Sequence, residues 1–516
     1  MKNSLYLHKN LINYHKNTLN YAKKVLFWLF LPALTACNSP KLTPEEIIWQ
    51  RCDSVLNAIQ LTNIPSTEFN IKDYGALAVV EGRDTAIATA AIDAAIKAAN
   101  EAGGGTVIIP DSTYFTGPIT ILSNVNLHLA DGAMVKFSTV PDLYYPAVKT
   151  AWEGVECYNA HPLIYALDAE NIALTGKGTL DAQGSNDNWW AMCGAPRFGW
   201  KEGMISQAGR DHIRETSPRQ RLLDWCTNQV PVEQRQMTKE DGMRPQFVNF
   251  NNCKRVLIED ITLLNSPFWV LHPLLCEDLI VRGVTVNNDG PNGDGCDPEC
   301  CNRVLIENCV FHTGDDCIAI KSGRNQDGRN RGIPSQNMIV RKCTMADGHG
   351  GVVIGSEIAG GYKNLWVEDC EMDSPNLDRV IRIKTSSARG GIIENVYVRN
   401  VNVGRCREAV LRINLNYDPK EIAERGHNPI VRNVNLRNVV CKESQYAVVL
   451  NGLDDCCNIY DVNVKDCDWS GVKGGKRGNL CDSLIWTEGH YRDIHFDNLK
   501  VNGNVIESLA DNLLPE

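Results

Sequence analysis

Short stretches in which apolar and polar residues alternate recur through the second half of the chain. Each unit opens with Asn or a charged residue, continues apolar, variable, apolar, and ends with polar residues, as in "NRVLIEN" and "KNLWVED". Alternation with a period of two predicts β-strands, and the Gly, Asn and Asp residues between the units predict turns. The first apolar positions of the units are Val256, Leu279, Val304, Met338, Leu365, Val396, Val434, Val462 and Ile494.

The units are spaced roughly 23 to 38 residues apart, which is typical of solenoid repeats. Helical periodicity is almost absent from this region, and the signatures of leucine-rich and ankyrin-type repeats are missing. The pattern therefore predicts an all-β fold, a right-handed parallel β-helix in which each coil buries its inward side chains against the next. The irregular spacing predicts turns of variable length, and such turns on one face build a cleft.

Two segments interrupt the strand pattern. The stretch "RDTAIATAAIDAAIKAANEAGGG" predicts one helix, with Asp84 as its N-cap and Gly103 as its end, which would cap the open end of the solenoid. Residues 193–244 are rich in Arg, Gln, Gly and Pro and lack the repeat. We interpret them as a long loop over one rim of the cleft.

The N-terminus has the composition of an export signal. Five lysines precede the apolar run "VLFWLFLPALTA", which is too short to span a membrane as a helix. The residues "LTAC" resemble the lipobox of bacterial lipoproteins, in which the cysteine, here Cys37, is lipidated and becomes the new N-terminus; a plain signal peptide is the alternative. We therefore divide the chain into a signal (1–37), a tether (38–66) and a single β-helix domain (67–516).

The composition limits the classes of partner. The chain has 516 residues, 43% of them hydrophobic, and a formal net charge of -10. This acidic balance argues against nucleic acid, because neutralising its backbone needs clustered Lys and Arg. The same reasoning means that an anionic ligand would need a local basic site. We expect membrane attachment only through the lipid at Cys37, and we expect a monomer.

Twenty cysteines in an exported chain suggest disulfides, but their positions suggest otherwise for many of them. Four units end in the same way, as in "VLIENC" and "LWVEDC", so their cysteines should stack as buried thiols in successive coils. The sequence has no C-x-x-C pair with a second C-x-x-C or H-x-x-x-H at metal spacing, so a zinc site is not expected. A disulfide between Cys193 and Cys226 stays open at this stage. The four repeated cysteines are Cys309, Cys343, Cys370 and Cys467.

Two glycine-rich stretches, "GPNGDGCDPEC" and "HTGDDCIAIKSG", contain four carboxylates, Asp294, Asp297, Asp315 and Asp316. A single Asp in such a stretch usually marks a solvated turn. In a β-helix, however, neighbouring coils lie about 4.8 Å apart, so these groups would lie close together and the pKa of at least one should rise. A protonated acid beside ionised carboxylates is what hydrolysis of a glycosidic bond requires.

Two further motifs follow on later coils. In "DGHGGVVIGSE", His349 lies between glycines that would let a ligand approach the backbone. In "VIRIKTSS", Arg382 and Lys384 are two residues apart and would project from the same face of a strand. Two adjacent cations repel each other unless an anion joins them. They therefore suggest a clamp for a substrate carboxylate, with a solvated outer face as the alternative.

The motifs "NGDGCD", "GDDCIAI", "GHG" and "RIK", in this order, resemble the four signature motifs of glycoside hydrolase family 28, the polygalacturonases. The resemblance extends from about Phe69 to the end of the chain. It implies a right-handed β-helix and hydrolysis of α-1,4-galacturonosyl linkages in pectic polysaccharide, with inversion and with neither metal nor cofactor. One departure is visible, because the first motif usually reads Asn-Thr-Asp or Asn-Ser-Asp and here reads Asn292-Gly293-Asp294.

The resemblance also implies roles for the motif residues. Asp315 would be the general acid, Asp294 and Asp316 would position and activate water, and His349 would support the acid. Asn292, Arg382 and Lys384 would contact the substrate, the last two through the galacturonate carboxylate.

These roles make geometric demands. Inversion predicts acid and base carboxylates about 6.5 to 9.5 Å apart. Adjacent residues of a flat strand point to opposite faces, so Asp315 and Asp316 can cooperate only if the chain bends at Gly314. Long inserted loops, including "NQVPVEQRQMTKEDGMRP", resemble those of bacterial family members that cut from the chain end. We therefore expect exo-action.

Several alternatives stay open at this stage. A rhamnogalacturonan or another galacturonoside could be the substrate, because an Arg-Lys clamp identifies a carboxylate but not the neighbouring sugar. A pectate lyase would need calcium and a basic proton abstractor, and a non-catalytic β-helix would bind polysaccharide without cutting it. The signal predicts a lipid-anchored protein of the cell envelope, in the periplasm or outer membrane of a Gram-negative bacterium.

Overall fold

The computed structural model describes residues 42–80, 87–477 and 480–514. The chain divides into two units, Met1–Ser54 and Val55–Glu516. The helix Pro44–Ala58 lies within the predicted tether. Cys37 and the predicted signal lie outside the described residues, so the boundaries at 37 and 66 stay predictions. No helix of the described part is long and apolar enough to cross a membrane.

The second unit is a right-handed parallel β-helix, as the repeats predict. The nine repeat positions are register partners in successive parallel strands, so that Val256 pairs with Leu279 and each later position pairs with the next as far as Ile494. Every one of these side chains is buried. Stacking identical positions of consecutive coils therefore produces one continuous apolar core.

The largest sheet contains 22 described strands. They are Glu68–Asn70, Gly105–Ile109, Thr113–Thr116, Val125–Leu129, Met134–Phe137, Glu170–Gly176, Thr179–Asp181, Lys254–Glu259, Thr262–Leu264, Glu277–Arg282, Thr285–Asn288, Asn302–Glu307, Val310–Thr313, Ser335–Arg341, Thr344–Asp347, Tyr362–Glu368, Glu371–Met372, Ile392–Arg405, Ile430–Glu443, Ile459–Trp469, Arg492–Val501 and Asn504–Leu509.

A second face of the solenoid contains the two Asp-containing stretches, "GPNGDGCDPEC" and "HTGDDCIAIKSG". Its first sheet contains Ile119–Thr120, Ile164–Leu167, Val248–Asn251 and Leu271–Leu274. Its second contains Ile318–Ile320, Val352–Gly355, Arg379–Lys384, Ala409–Asn414, Tyr446–Asn451 and Ile485–Glu488. Single parallel bridges through Cys296 and Glu299 join the two sheets into one face. Two antiparallel pairs complete the strands, Val148–Trp152 with Val155–Asn159 and Gly475–Arg477 with Leu480–Ser483.

Polar ladders explain why the repeat units open with Asn. Asn337, Asn364, Asn395 and Asn433 occupy equivalent positions inside strands of successive coils and have positive φ, a backbone region that Asn adopts more readily than most residues. Each side-chain amide donates to the amide oxygen of the Asn in the preceding coil over 2.7–2.9 Å. The Asn of each unit therefore sets the local backbone and also bonds the coils together.

The predicted cysteine ladder is confirmed, since Cys309, Cys343, Cys370 and Cys467 are buried free thiols. The disulfide that was left open between Cys193 and Cys226 is not formed, because both are free thiols. Cys226 instead lies in a small apolar cluster beside the main core.

The predicted capping helix spans Thr89–Glu101 and buries Ala91, Ile92, Ala95, Ile96 and Ala99 against the first coils. Its N-cap residue is Ala88, so the helix begins after the predicted Asp84, which lies outside the described residues. The insertion 193–244 contains the helix Pro218–Thr227, and a fourth described helix spans Asn325–Arg331. Seven 3₁₀ segments are described: Ile71–Tyr74, Pro141–Tyr144, Trp189–Cys193, Pro196–Phe198, Arg214–Thr216, Val232–Gln234 and Lys239–Asp241.

Candidate active site

Three of the four predicted carboxylates meet on the second face. Asp294 lies just before the bridge residue Cys296, and Asp315 and Asp316 lie just before the strand Ile318–Ile320 of the next coil. A backbone bond from Gly295 N–H to the Asp316 carbonyl, 3.0 Å long, ties the two segments together. One oxygen of each carboxylate lies within 4.8 Å of the others.

The chain bends before the Asp pair, as the sequence requires. A Cβ atom at Gly314 would lie 2.7 Å from the Asp289 carbonyl oxygen, so the bend needs glycine. Both carboxylates consequently reach the same cluster. Asp315 keeps 21% of its side chain exposed, whereas Asp316 is fully buried, against cations rather than in the apolar core.

The two cations of "RIK" hold Asp316. Arg382 Nη1 lies 3.1 Å and Lys384 Nζ 2.7 Å from its carboxylate oxygens. Burial raises the pKa of Asp316, but the charges of Lys384 and Arg382 outweigh burial and hold it below its ordinary value. The anion that joins this pair of cations within the chain is therefore Asp316. Both cations also line the cavity described below, where a substrate carboxylate could reach them.

Lys321, which the sequence analysis did not single out, has the same function for the other buried carboxylates. Its Nζ lies 3.0 Å from Glu357, 3.6 Å from Asp297 and 3.7 Å from Asp294. Burial and the charge of Asp315 still raise the pKa of Asp294 to about 8. Burial and the charge of Asp294 raise the pKa of Asp297 well above its ordinary value. The predicted rise in pKa therefore occurs at these two residues.

His349 contacts the most exposed carboxylate. Its Nδ1 lies 2.9 Å from Asp315 Oδ1, and its backbone N–H donates to the Asp315 carbonyl. The side-chain contact with Asp315 raises the pKa of His349. With 44% of its side chain exposed, His349 can respond to a ligand that binds Asp315.

Asn292 lies in the cavity with positive φ, and its Oδ1 accepts a 2.7 Å bond from Arg244 of the insertion. The glycine at position 293, where the family motif usually has Thr or Ser, has a steric cause. A Cβ at Gly293 would lie 2.3 Å from Asn288 Nδ2 and 2.6 Å from the Gly290 carbonyl oxygen, so the Thr or Ser of the family motif would not fit here unless both Asn288 and the backbone at Gly290 moved.

These residues line a cavity of about 280 Å³. The predicted residues Asn292, Asp294, Asp315, His349, Arg382 and Lys384 all contribute to it, whereas Asp316 lies beneath. Sequence reasoning missed Glu153, Arg219, Lys321, Arg324, Glu357 and Tyr417. Lys321 and Glu357 are charged residues within the quoted motif stretches, and this position in a motif could have identified them. Glu153 and Arg219 lie in distant segments that contain no motif, so nothing in the sequence connects them with the site.

The hairpin of residues 148–159 closes one side of the cavity. Thr150 donates to Asn249, and Trp152 stacks on Phe268 with ring centroids 5.0 Å apart, so the hairpin lies over coils that precede the Asp294 coil. At its tip, the Gly154 carbonyl accepts a bond from Arg324 N–H, which lies on the coil of Asp315 and Asp316. The second face is therefore covered on the N-terminal side of the carboxylates.

The three carboxylates approach one another closely. One oxygen of each lies within 4.8 Å of the others, whereas the range of about 6.5–9.5 Å for an inverting enzyme refers to the separation of the acid and base carboxyl groups, so that separation stays a prediction. Three carboxylates this close could also hold a divalent cation. Lys321, Arg382 and Lys384 already place positive charge around them, which is the electrostatic role that such an ion would have.

Comparison with known proteins decides the family. The profile of glycosyl hydrolases family 28 matches residues 225–487, about half of the chain and the part that contains all four motifs. The chain belongs to glycosyl hydrolases family 28. A similar solved structure is that of a hyperthermoactive exopolygalacturonase from Thermotoga maritima, with 36% identity, a TM-score of 0.81, and coverage of 91% of this chain and 100% of that one.

Curated relatives of this family 28 chain are more distant in sequence. The exo-poly-alpha-D-galacturonosidase of Dickeya chrysanthemi is 25% identical over 473 residues, which cover 85% of this chain and 72% of that protein. The probable polygalacturonase of Vitis vinifera is 26% identical over 368 residues, which cover 68% of this chain. That alignment spans 64% of the Vitis protein, slightly less than two thirds of its length.

Proposed function

We propose that this family 28 protein hydrolyses α-1,4-galacturonosyl linkages of polygalacturonate or its oligomers from the chain end, with inversion. The observation that carries the proposal is the cluster of Asp294, Asp315 and Asp316 beside Arg382 and Lys384, of which all but Asp316 line one cavity. It combines groups that handle protons with cations that suit an anionic sugar. The solved relative of 36% identity, described as an exopolygalacturonase, supports the same substrate class.

The cluster can supply both an acid and a base. Burial and the charge of Asp315 raise the pKa of Asp294 to about 8, so the cluster can hold a proton at neutral pH. Asp315 is the most exposed of the three carboxylates, so it is the residue that can reach the glycosidic oxygen and pass a proton to it. The C1–O bond then breaks, the oxygen of a water molecule bonds to C1, and the proton of that water passes to a carboxylate of Asp294 or Asp316.

Chain-end cleavage and inversion rest on different support. The hairpin of residues 148–159 covers the face on one side of the carboxylates and would stop a chain from continuing past them. Inversion rests on the resemblance of the four motifs. Hydrolysis of rhamnogalacturonan or another galacturonoside is the alternative within the same site.

The proposal is tested by incubating polygalacturonate with the wild type and with Asp315→Asn, with and without a chelator, and sizing the early products. We expect galacturonate monomer from the wild type alone, at the same rate in chelator. Long oligomers as early products would refute chain-end cleavage. Loss of activity in chelator, or unsaturated products, would indicate a lyase, and release undiminished in Asp315→Asn would refute the acid assignment. No release from polygalacturonate would move the substrate to rhamnogalacturonan or decorated pectin.

We further propose that the mature protein is a monomer anchored by lipid at Cys37 in the cell envelope of a Gram-negative bacterium. The lysines, the apolar run and the "LTAC" sequence support this. In a bacterial host, Cys37→Ser should move the protein from the membrane to the soluble fraction. Equal membrane association of both forms would refute the anchor, and light scattering would test the monomer.

A further inference from the structure

One end of the cavity is formed by a charged hairpin tip. Glu153 has a positive φ at this tip and lines the cavity. Arg219 of the insertion helix contacts it over 2.6 Å, and Arg324 contacts it over 2.9 Å. Three segments that are distant in sequence therefore converge on one carboxylate, and no family motif includes any of them.

The contacts of Glu153 use only one of its two oxygens. Within the described residues, the bonds from Arg219 Nε, Arg219 Nη2 and Arg324 Nη1 all go to Oε2. Oε1 is thereby held in a fixed orientation as a further acceptor at the cavity. A carboxylate oxygen accepts a strong, charge-assisted hydrogen bond from a hydroxyl group.

The neighbouring carboxylate, Glu357, is less suited to this role. Lys321 donates to its Oε2, and Ser356 and Arg324 donate to its Oε1. Both of its oxygens are therefore engaged by the protein. Glu153 is the carboxylate of this wall that retains an oxygen for a ligand.

We propose that Glu153 determines chain-end specificity by accepting a hydrogen bond from the 4-hydroxyl of the sugar at the non-reducing end. This inference rests on the proposed function. In an α-1,4-linked chain, only the terminal sugar has a free 4-hydroxyl, so a contact with this group identifies the end. If the chain continued beyond this sugar, the next galacturonate would be linked through the same 4-oxygen. Its carboxylate would approach Glu153, and its ring would occupy the space of the hairpin.

The test compares two substrates that differ only in the terminal sugar: trigalacturonate, and its analogue with a 4,5-unsaturated non-reducing end, which lacks the terminal 4-hydroxyl. We expect the wild type to prefer trigalacturonate by about tenfold to a hundredfold in kcat/KM, the effect of one hydrogen bond to a charged group. Glu153→Ala should reduce this preference to less than about threefold, because kcat/KM should fall for trigalacturonate and stay unchanged for the unsaturated analogue.

The control is Glu394→Ala, which removes a comparable bidentate pair with Arg432 away from the cavity and should keep the wild-type preference. A wild-type preference that survives in Glu153→Ala would overturn the inference. If that variant does not fold, Glu153→Gln keeps the shape without the charge, and an unchanged preference there would overturn it equally. A wild type that cleaves neither substrate would instead refute the proposed function.

Discussion

Lys321 is predicted to stabilise the folded protein by compensating three buried carboxylates. Its own side chain is 3% exposed, its Nζ contacts Glu357, Asp294 and Asp297, and it lies 4.6 Å from the centre of the Trp269 ring. Lys321→Met fills a similar volume but leaves these carboxylates without their shared cation. Removing one partner of a buried ion pair costs about 3–5 kcal/mol.

This cost converts into a measurable shift in Tm. The unit Val55–Glu516 contains roughly 460 residues. At about 2.1 cal/mol/K per residue, its unfolding entropy is about 1 kcal/mol/K, so Lys321→Met should lower Tm by about 3–5 °C near neutral pH. The assay is scanning calorimetry of the wild type and the variant.

The loss should also depend on pH. Burial raises the pKa of Asp294 to about 8 and that of Asp297 well above its ordinary value, so Asp294 binds a proton in the folded state that it loses on unfolding near neutrality. Without Lys321 these values rise again, and stability falls more steeply as pH increases. Near pH 4 Asp294 and Asp297 are protonated in the folded state and about half protonated in the unfolded state. Glu357 stays ionised there, because Lys321 and Arg324 outweigh burial and hold its pKa well below its ordinary value, so we expect the loss at pH 4 to be smaller than at pH 8 but not absent.

The matched control is Lys465→Met, which removes an exposed ion pair with Asp497. Such a pair contributes less than about 1 kcal/mol, so Tm should change by less than about 1 °C. A loss in Lys321→Met no greater than that of the control at pH 8, or a loss equal at pH 4 and pH 8, would refute this account of the buried cluster.

Three further predictions concern the site and the ladders. Asp294→Asn should raise Tm at pH 8 but not at pH 4. The folded pKa of Asp294 is about 8, so its ionisation opposes folding only above its lower pKa in the unfolded state. An unchanged Tm at pH 8 would contradict this prediction. His349→Ala should lower kcat by about tenfold or more and shift the alkaline limb of the pH–rate profile, since Asp315 raises the pKa of His349. Asn364→Ala should lower Tm by about 1–3 °C by removing two ladder bonds at a positive φ, as calorimetry would show.

The sequence predicts the coils well because their stabilising contacts repeat. Val256 and Leu279 recur at equivalent places in the pattern, and the structure pairs them directly. The same regularity explains why Cys309 and Cys343 could be predicted as buried thiols. For the described coils, local periodicity therefore carries most of the information about the fold.

The walls of the site could not be predicted in the same way. The hairpin tip at Glu153 is held by Arg219 and Arg324, which lie far along the chain in segments without a repeat. The pairing of Arg382 and Lys384 with Asp316 depends on the bend at Gly314, which removes the alternation of a flat strand. Long-range ion pairs of this kind leave no periodic signal.

The most direct test of the central claim is proton NMR of trigalacturonate during the first turnovers, with Asp315→Asn in parallel. We predict that the wild type forms new reducing ends as the β-anomer before mutarotation, and that the variant forms almost none. Initial formation of the α-anomer would contradict inversion. An absence of new reducing ends from the wild type, or their formation at the wild-type rate by Asp315→Asn, would contradict the assigned hydrolysis itself.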